Sequence, residues 1–353
     1  MPGKLQRLSL RGFKTIERLD DFQPNQITVL IGPNGAGKSN LISSFRLLSW
    51  MTSPPGDLQL LIAELGGASA ILHGGSSRTR EIEARIVLTT ELGEDEYELR
   101  LSHAAGDTLI FAEERYRFSA NEDPGKAPWK QLGAGHREAK LIAEAEAGDK
   151  NAGTILTLLR KMVVYQFHNT SSTARMRNKW GSEDGRWLKE DGANLASFLF
   201  RLRNEEERYY QRIVETLRLI LSFFADFELE PEHDRLLLRW RERGSDVIYT
   251  AAQAADGMLR AMALTALLLQ PEKDLPNVLI LDEPELGLHP YAINVIAGLI
   301  RGVANYVQVV LATQSVSLID QFSPEEIVIV ERKGAESAFR RLDEADLGEW
   351  LAE

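Results

Sequence analysis

ITVLIGPNGAGKS, Ile27 to Ser39, is the stretch that decides the fold. Ile27–Ile31 is a short β-rich run and reads as a strand; an apolar-periodic stretch from Asn40 to Trp50 reads as a helix. Between them Gly32, Pro33, Asn34, Gly35, Ala36, Gly37, Lys38 and Ser39 satisfy GxxxxGK[ST] in full, in the strand–loop–helix setting that this spacing requires. Glycines let the backbone curl until several N–H groups face one anion. Lys38 brings a mobile positive charge to the β and γ oxygens of a nucleotide, and the Ser39 hydroxyl is placed to ligate Mg²⁺. The positive end of the helix dipole adds about 0.3–1 kcal/mol per exposed charge. The competing reading, an incidental glycine-rich turn, leaves the flanking strand and helix unexplained.

A second segment completes the chemistry. Val278–Leu281 is a run of four apolar residues that ends in Asp282 and Glu283. At the carboxyl end of a buried strand Asp282 would hold Mg²⁺, directly or through water, and Glu283 would polarise the attacking water. A strand end followed by solvated acids is the plain alternative, which the phosphate loop disfavours because the two segments make one site. Val307–Ala312 and Ile327–Val330 are further continuous apolar runs, the pattern of strands covered on both faces in a parallel sheet. Guanine reading is not expected, since Asn178–Lys179 lacks an aspartate two positions on.

Outward from these segments, Leu5–Leu10 reads as a strand, and Glu81–Val87, Glu96–Ser102 and Thr108–Phe118 as an antiparallel meander. Residues 52–80 are broken by glycine, proline and serine and read as a loop-rich connection. His136–Lys161 predicts a helix or helix pair interrupted near Gly148, and Met162–Phe167 a strand. Residues 168–194 are too polar for a core, Leu195–Phe224 has helical spacing, Leu236–Trp240 and Val247–Tyr249 read as strands, and Met258–Gln270 as a buried helix.

At 353 residues, 44% hydrophobic and 26% charged, the chain is an ordinary globular one, somewhat long for a single domain. A formal charge of -11 excludes a protein that coats nucleic acid with its whole surface, so any DNA contact must be local. With no cysteine there is no disulfide, thiolate metal site or cysteine nucleophile. MPGKLQRLSLRGF lacks a signal-peptide apolar core, and Gly302–Ile319 is too polar for a membrane span, so a cytoplasmic location without membrane contact is expected. The six histidines show no paired ligand spacing.

Phosphate loop and acidic strand lie more than 230 residues apart (Ser39 to Val278), and the latter continues as EPELGLHP before VVLATQS, Val309 to Ser315. This order resembles the ABC-type ATPases of the RecF, SMC and OLD group. RGFKTI (Arg11–Ile16), GPNGAGKSN, YQFHNTSST (Tyr165–Thr173), DGANLASFL (Asp191–Leu199), ILDEPELGLHP, VVLATQS and the tail FRRLDEADLGEWL look like a family of bacterial stand-alone predicted ATPases, over nearly the whole chain. The resemblance implies an α/β P-loop ABC-ATPase head of two lobes, a mixed sheet flanked by helices plus an antiparallel meander, with a helical insertion that has no long coiled coil. It implies lobe I at 1–135, the insertion at 136–235, and lobe II at 236–353. It further implies ATP and Mg²⁺ as ligands, Asn40 beside the phosphates, Gln314 as the γ-phosphate sensor, and a head-to-tail homodimer. In that dimer Asp256 and Gly257, within AADGMLR, would reach the partner's γ-phosphate.

Two departures bear on rate. The signature normally carries a serine where this chain has Ala255, and loss of one hydrogen bond to a charged group costs on the order of 1.5–3 kcal/mol, enough to slow turnover roughly tenfold to a hundredfold. Gln314 stands where transporter ATPases carry a histidine, which argues against a transporter subunit and for slow hydrolysis. Packing alone would also account for Ala255, and a satisfied strand-end amide for Gln314. Phe13 and Lys14 either approach the nucleotide or pack on the core; His289 either meets the dimer partner or bonds locally. Arg175, Arg177 and Lys179 with Trp180 and Trp187 form the candidate nucleic-acid patch, but Glu183, Asp184, Glu190 and Asp191 dilute it and favour reading the segment as a solvated loop. DNA, or a separately encoded nuclease or toxin, is the candidate partner, since no residues remain after 353 for an appended nuclease. A nucleotide-gated binding protein with little hydrolysis is the alternative function.

Overall fold

The computed structural model describes residues 3–53, 57–121 and 127–342. Two six-stranded sheets face each other. The first is antiparallel throughout, in the spatial order Ile16–Phe22, Lys4–Phe13, Glu81–Thr89, Gly93–Ala104, Thr108–Ala120, Lys130–Gly133. The second is mixed, in the order Glu336–Arg341, Ile327–Lys333, Ile27–Ile31, Gln308–Thr313, Val278–Asp282, Met162–Tyr165; all its pairs are parallel except the first. The strand that leads into the phosphate loop, Ile27–Ile31, and the acidic strand, Val278–Asp282, are thus separated by one strand, so their carboxyl ends open on a common edge.

Period-two alternation explains why the mixed sheet reads as unbroken apolar runs. Leu30, Val278, Ile280, Val310 and Val330 enter the core shared with the antiparallel sheet and the helix Lys38–Trp50. Val29, Leu279, Leu281, Val309 and Leu311 point the other way, into a core roofed by the helices Leu195–Glu205, Glu207–Ile220, Asp256–Leu268 and Pro290–Val303. Each central strand therefore needs an apolar side chain at every position. Fully buried Met262, Leu264 and Leu267 show why Asp256–Leu268 has no polar face in its middle.

Several local expectations need correction. Residues 52–80 contain two short helices, Asp57–Glu64 and Ala68–Ile71, whose Leu58, Leu61, Ile62 and Ile71 are buried. Leu195–Phe224 is not one helix: Glu206 leaves helical geometry at φ −137°, and Phe224–Phe227 joins a small sheet with Arg239–Glu242 and Ile248–Thr250. The helix pair after His136 is present as Leu141–Glu146 and Lys150–Arg160, divided at Gly148 with φ +93°. The span expected as an insertion, 136–235, supplies the sheet's edge strand Met162–Tyr165 as well as helices. Most of the tail FRRLDEADLGEWL lies outside the described residues. Among the described residues no helix is long and apolar enough to cross a membrane.

Candidate functional site: a phosphate loop facing an acidic strand end

The loop takes its shape from close approach. A side chain on Gly32, at φ +148°, would lie 2.1 Å from the Val330 carbonyl, and one on Gly37, at φ +118°, would lie 2.0 Å from the Ser337 hydroxyl. Only glycine fits either place. Gly37 caps the helix Lys38–Trp50 in left-handed geometry without a side-chain bond. The backbone N–H groups of Gly35, Gly37, Lys38 and Ser39 have no acceptor among the described residues, so the helix start presents a concave set of free donors.

Lys38 is buried, and its ammonium donates to the loop's own carbonyls, Gly32 O at 2.5 Å and Pro33 O at 3.2 Å. Burial lowers its pKa; the carboxylates of Glu283, Asp282 and Glu285 act in the opposite direction. Across the site, Ser39 Oγ lies 3.5 Å from Asp282 Oδ1, while the Gln166 amide donates to Asp282 Oδ2 at 2.8 Å. The Asp282 carboxyl is only 4% exposed, and burial raises its pKa against the pull of His168, Gln166 and Ser39. A buried carboxylate flanked by a hydroxyl and the side-chain amide of Gln166 suits a divalent cation that keeps several waters. The donor set therefore fits Mg²⁺, held by Ser39 and Asp282 with Gln166 beside them, and the free amides fit the phosphates.

Glu283 follows in an unusual backbone state, φ +45°, with its N–H donating to Ala312 O at 2.9 Å. A non-glycine residue held there stores on the order of 1–2 kcal/mol, a cost typical of functional positions. Glu285 is buried; its Oε1 accepts from the Thr313 hydroxyl, which in turn accepts from Ser315 N at 2.9 Å. Burial raises the Glu285 pKa, and its Oε2 has no hydrogen-bond partner among the described residues. This bond ties the acidic loop to the turn that carries Gln314, which is exposed at the end of the strand lying between phosphate loop and acidic strand.

The structure thus brings together Lys38, Ser39, Asp282, Glu283 and Gln314 at one sheet edge. Asp256 and Gly257 pack elsewhere, at the start of Asp256–Leu268: a side chain on Gly257 would lie 2.2 Å from the Gly287 carbonyl. Ala255 caps that helix without a side-chain bond. Arg260 secures the junction, donating to Phe167 O at 3.0 Å, His168 O at 2.9 Å and Leu286 O at 3.1 Å. Phe13 is fully buried, so it packs on the core. His289 bonds locally, its Nδ1 accepting from Tyr291 N at 3.3 Å. The candidate nucleic-acid patch is largely consumed. Arg177 binds the Thr170, Ser171, Ala251 and Ala254 carbonyls and Asp256; Arg175 pairs with Asp191 and Lys179 with Glu232.

Gln166, His168 and Glu285 escape sequence reasoning as site residues. His168 donates to the Asp282 carbonyl at 2.9 Å, so YQFHN wraps the acidic strand end from the sheet's edge. The strand immediately before Gln166 was the available signal.

Fold and site define a P-loop ATPase head of the ABC type. Solved structures with the same fold include the SMC head bound to the C-winged helix domain of ScpA, at 16% identity, TM-score 0.63, with 98% of this chain and 99% of that one covered. A second, the head with an extended coiled coil bound to the C-terminal domain of ScpA from Pyrococcus furiosus, matches at 14% identity and TM-score 0.61, covering 99% of each chain. The head with a coiled coil and joint from Pyrococcus yayanosii matches at 11% identity and TM-score 0.62, again over 99% of each. At such identities the likeness shows the fold alone. Residues 27–320 match the family described as AAA domain, putative AbiEii toxin, Type IV TA system, and the chain belongs to that family. No curated protein matches it.

Proposed function

We propose that the protein is an ATP-binding and slowly ATP-hydrolysing switch in which two copies close head to tail on two nucleotides and reopen after hydrolysis. The observation that carries this is the convergence of Ser39, Gln166 and Asp282 beside the buried Lys38 and the free loop amides. Gly32–Ser39 cradle the phosphates, whereas Asn40, expected beside them, spends its side-chain amide on Thr15 and its backbone N–H on Gly37 O; Ser39 and Asp282 would hold Mg²⁺, which would neutralise charge on the β and γ oxygens. Glu283 orients and polarises the attacking water, Gln314 contacts the γ-phosphate, and Asp256 and Gly257 act on the partner's nucleotide. The desolvated Lys38 gains an anion in exchange for the carbonyls it now holds. Segments 136–235 would carry the change to a partner. The family's description, putative AbiEii toxin of a Type IV TA system, favours a defence role over DNA repair.

A second reading, nucleotide-gated binding with little turnover, is favoured by Ala255, which offers no hydroxyl at the helix start that would face the partner's phosphate. Phosphate release decides between them. Wild type should release phosphate above the Lys38→Ala background, while Glu283→Gln retains ATP and accumulates dimer in size-exclusion chromatography with light scattering. No release above that background removes the enzyme reading; unchanged ATP binding in Lys38→Ala removes the site.

A further inference from the structure

The phosphate loop is gripped from outside by two segments at opposite ends of the chain. The Ser337 hydroxyl, on the edge strand Glu336–Arg341, donates to the Ala36 carbonyl at 2.6 Å. Its oxygen also lies 2.6 Å from Thr15 Oγ1, in the turn between the first two strands, and the Asn40 amide donates to that same Thr15 oxygen at 2.6 Å. Ser337 spends its one proton on Ala36, so Thr15 must donate to Ser337 and accept from Asn40. Every hydroxyl proton in this relay has one place to go. The segments are locked by backbone bonds as well: Ser337 N donates to Thr15 O at 2.8 Å, and Lys14 N, in left-handed geometry at φ +50°, donates to Ile71 O at 2.7 Å.

What the relay fixes is one peptide plane. In a trans peptide the carbonyl and the following N–H point in opposite directions. Pinning Ala36 O outward to Ser337 therefore turns the Gly37 N–H inward, toward the concave side of the loop, where it donates to nothing among the described residues. Ser337 sits where a side chain on residue 37 would otherwise be, which also fixes why that residue is glycine. We infer that Ser337 and Thr15 are positioning residues that aim the Gly37 amide at the β-phosphate of the nucleotide, an inference that rests on the ATP reading above. Neither touches the ligand; both act through the Ala36–Gly37 peptide.

Titration calorimetry with ADP, which carries the β-phosphate, tests this on the full chain. Ser337→Ala and Thr15→Val should each weaken ADP by roughly threefold to tenfold, the worth of one hydrogen bond. Thr15→Ser, which keeps the hydroxyl, should bind within about twofold of wild type, and the double variant Ser337→Ala/Thr15→Val should be no worse than Ser337→Ala alone, because links of one relay fail together. Multiplying losses in the double variant, equal losses in Thr15→Ser and Thr15→Val, or wild-type affinity in Ser337→Ala while Lys38→Ala loses ADP, each overturns the inference. If Ser337→Ala does not fold, the two Thr15 variants decide it alone. Retention of full ADP affinity by Lys38→Ala removes the phosphate-loop reading instead.

Discussion

Asp95 lies on the core-facing side of the antiparallel sheet, opposite Leu88 and Phe118, with 1% of its surface exposed and with Oδ1 unpartnered among the described residues. Burial pushes its pKa up to about 7. The folded chain therefore holds a proton that the unfolded chain, with an ordinary aspartate, releases near pH 4. A raised folded pKa contributes stability that is complete below about pH 4 and lost as pH rises toward 7, with a plateau beyond. Urea unfolding should show wild type losing on the order of 3 kcal/mol across that window, while Asp95→Asn, which cannot ionise, loses correspondingly less. Parallel curves for the two proteins from pH 4 to 8 would refute the buried-charge account. Asp95 and Lys38 make opposite uses of burial: the loop lysine is desolvated beside three carboxylates and free amides that await an anion, whereas no charged group among the described residues offsets the desolvation of Asp95.

Among elements, the helix Asp256–Leu268 is set by a backbone contact rather than by its side chains. Gly257 approaches Gly287 so closely that a methyl group there would sit 2.2 Å from a carbonyl oxygen, whereas Gly298, within the helix Pro290–Val303, has nothing within 4 Å of the same position. Helix propensity alone predicts that alanine stabilises both by about 0.5–1 kcal/mol. The contact reverses the sign at one of them: Gly298→Ala should raise Tm and Gly257→Ala should lower it, as measured by calorimetry, and a gain at both positions would remove the packing role assigned to Gly257. The same distinction marks what sequence could show. The phosphate loop, the acidic strand and the parallel sheet were legible because each is written in contiguous residues whose pattern has one physical reading. Ser337, Thr15, Gln166 and Glu285 were not, because their roles exist only once strands far apart in sequence lie side by side. Residues 52–80 read as loop because their buried Leu58, Leu61 and Ile62 occupy less than two turns between glycines and prolines. The patch around Trp180 and Trp187 stayed a candidate polyanion site in sequence because charge counts cannot see that Arg175 and Lys179 are already paired and Arg177 already bonded to backbone carbonyls.

At the scale of the molecule, the sheet edge that carries the site also carries unpartnered apolar side chains. Leu286 is 39% exposed, Tyr291 53% and Val316 69%, all on segments that leave the carboxyl ends of the two central strands. In the proposed head-to-tail dimer these side chains would border the nucleotide and be covered by the partner. Val316 is the cleanest probe, since it follows Gln314 by two residues but has no bond to Lys38, Ser39 or Asp282. Val316→Asp, made in the Glu283→Gln background that should hold ATP, is expected to leave ATP affinity within about threefold of its parent while lowering dimer content at least tenfold, a cost of about 1.4 kcal/mol or more for burying a carboxylate in an interface. Calorimetry reads the first quantity and light scattering the second. Dimer formation unchanged by Val316→Asp would place the contact on another face. Loss of ATP affinity and dimer together would mean that each copy cannot hold nucleotide alone, so that closure and binding are one event rather than two.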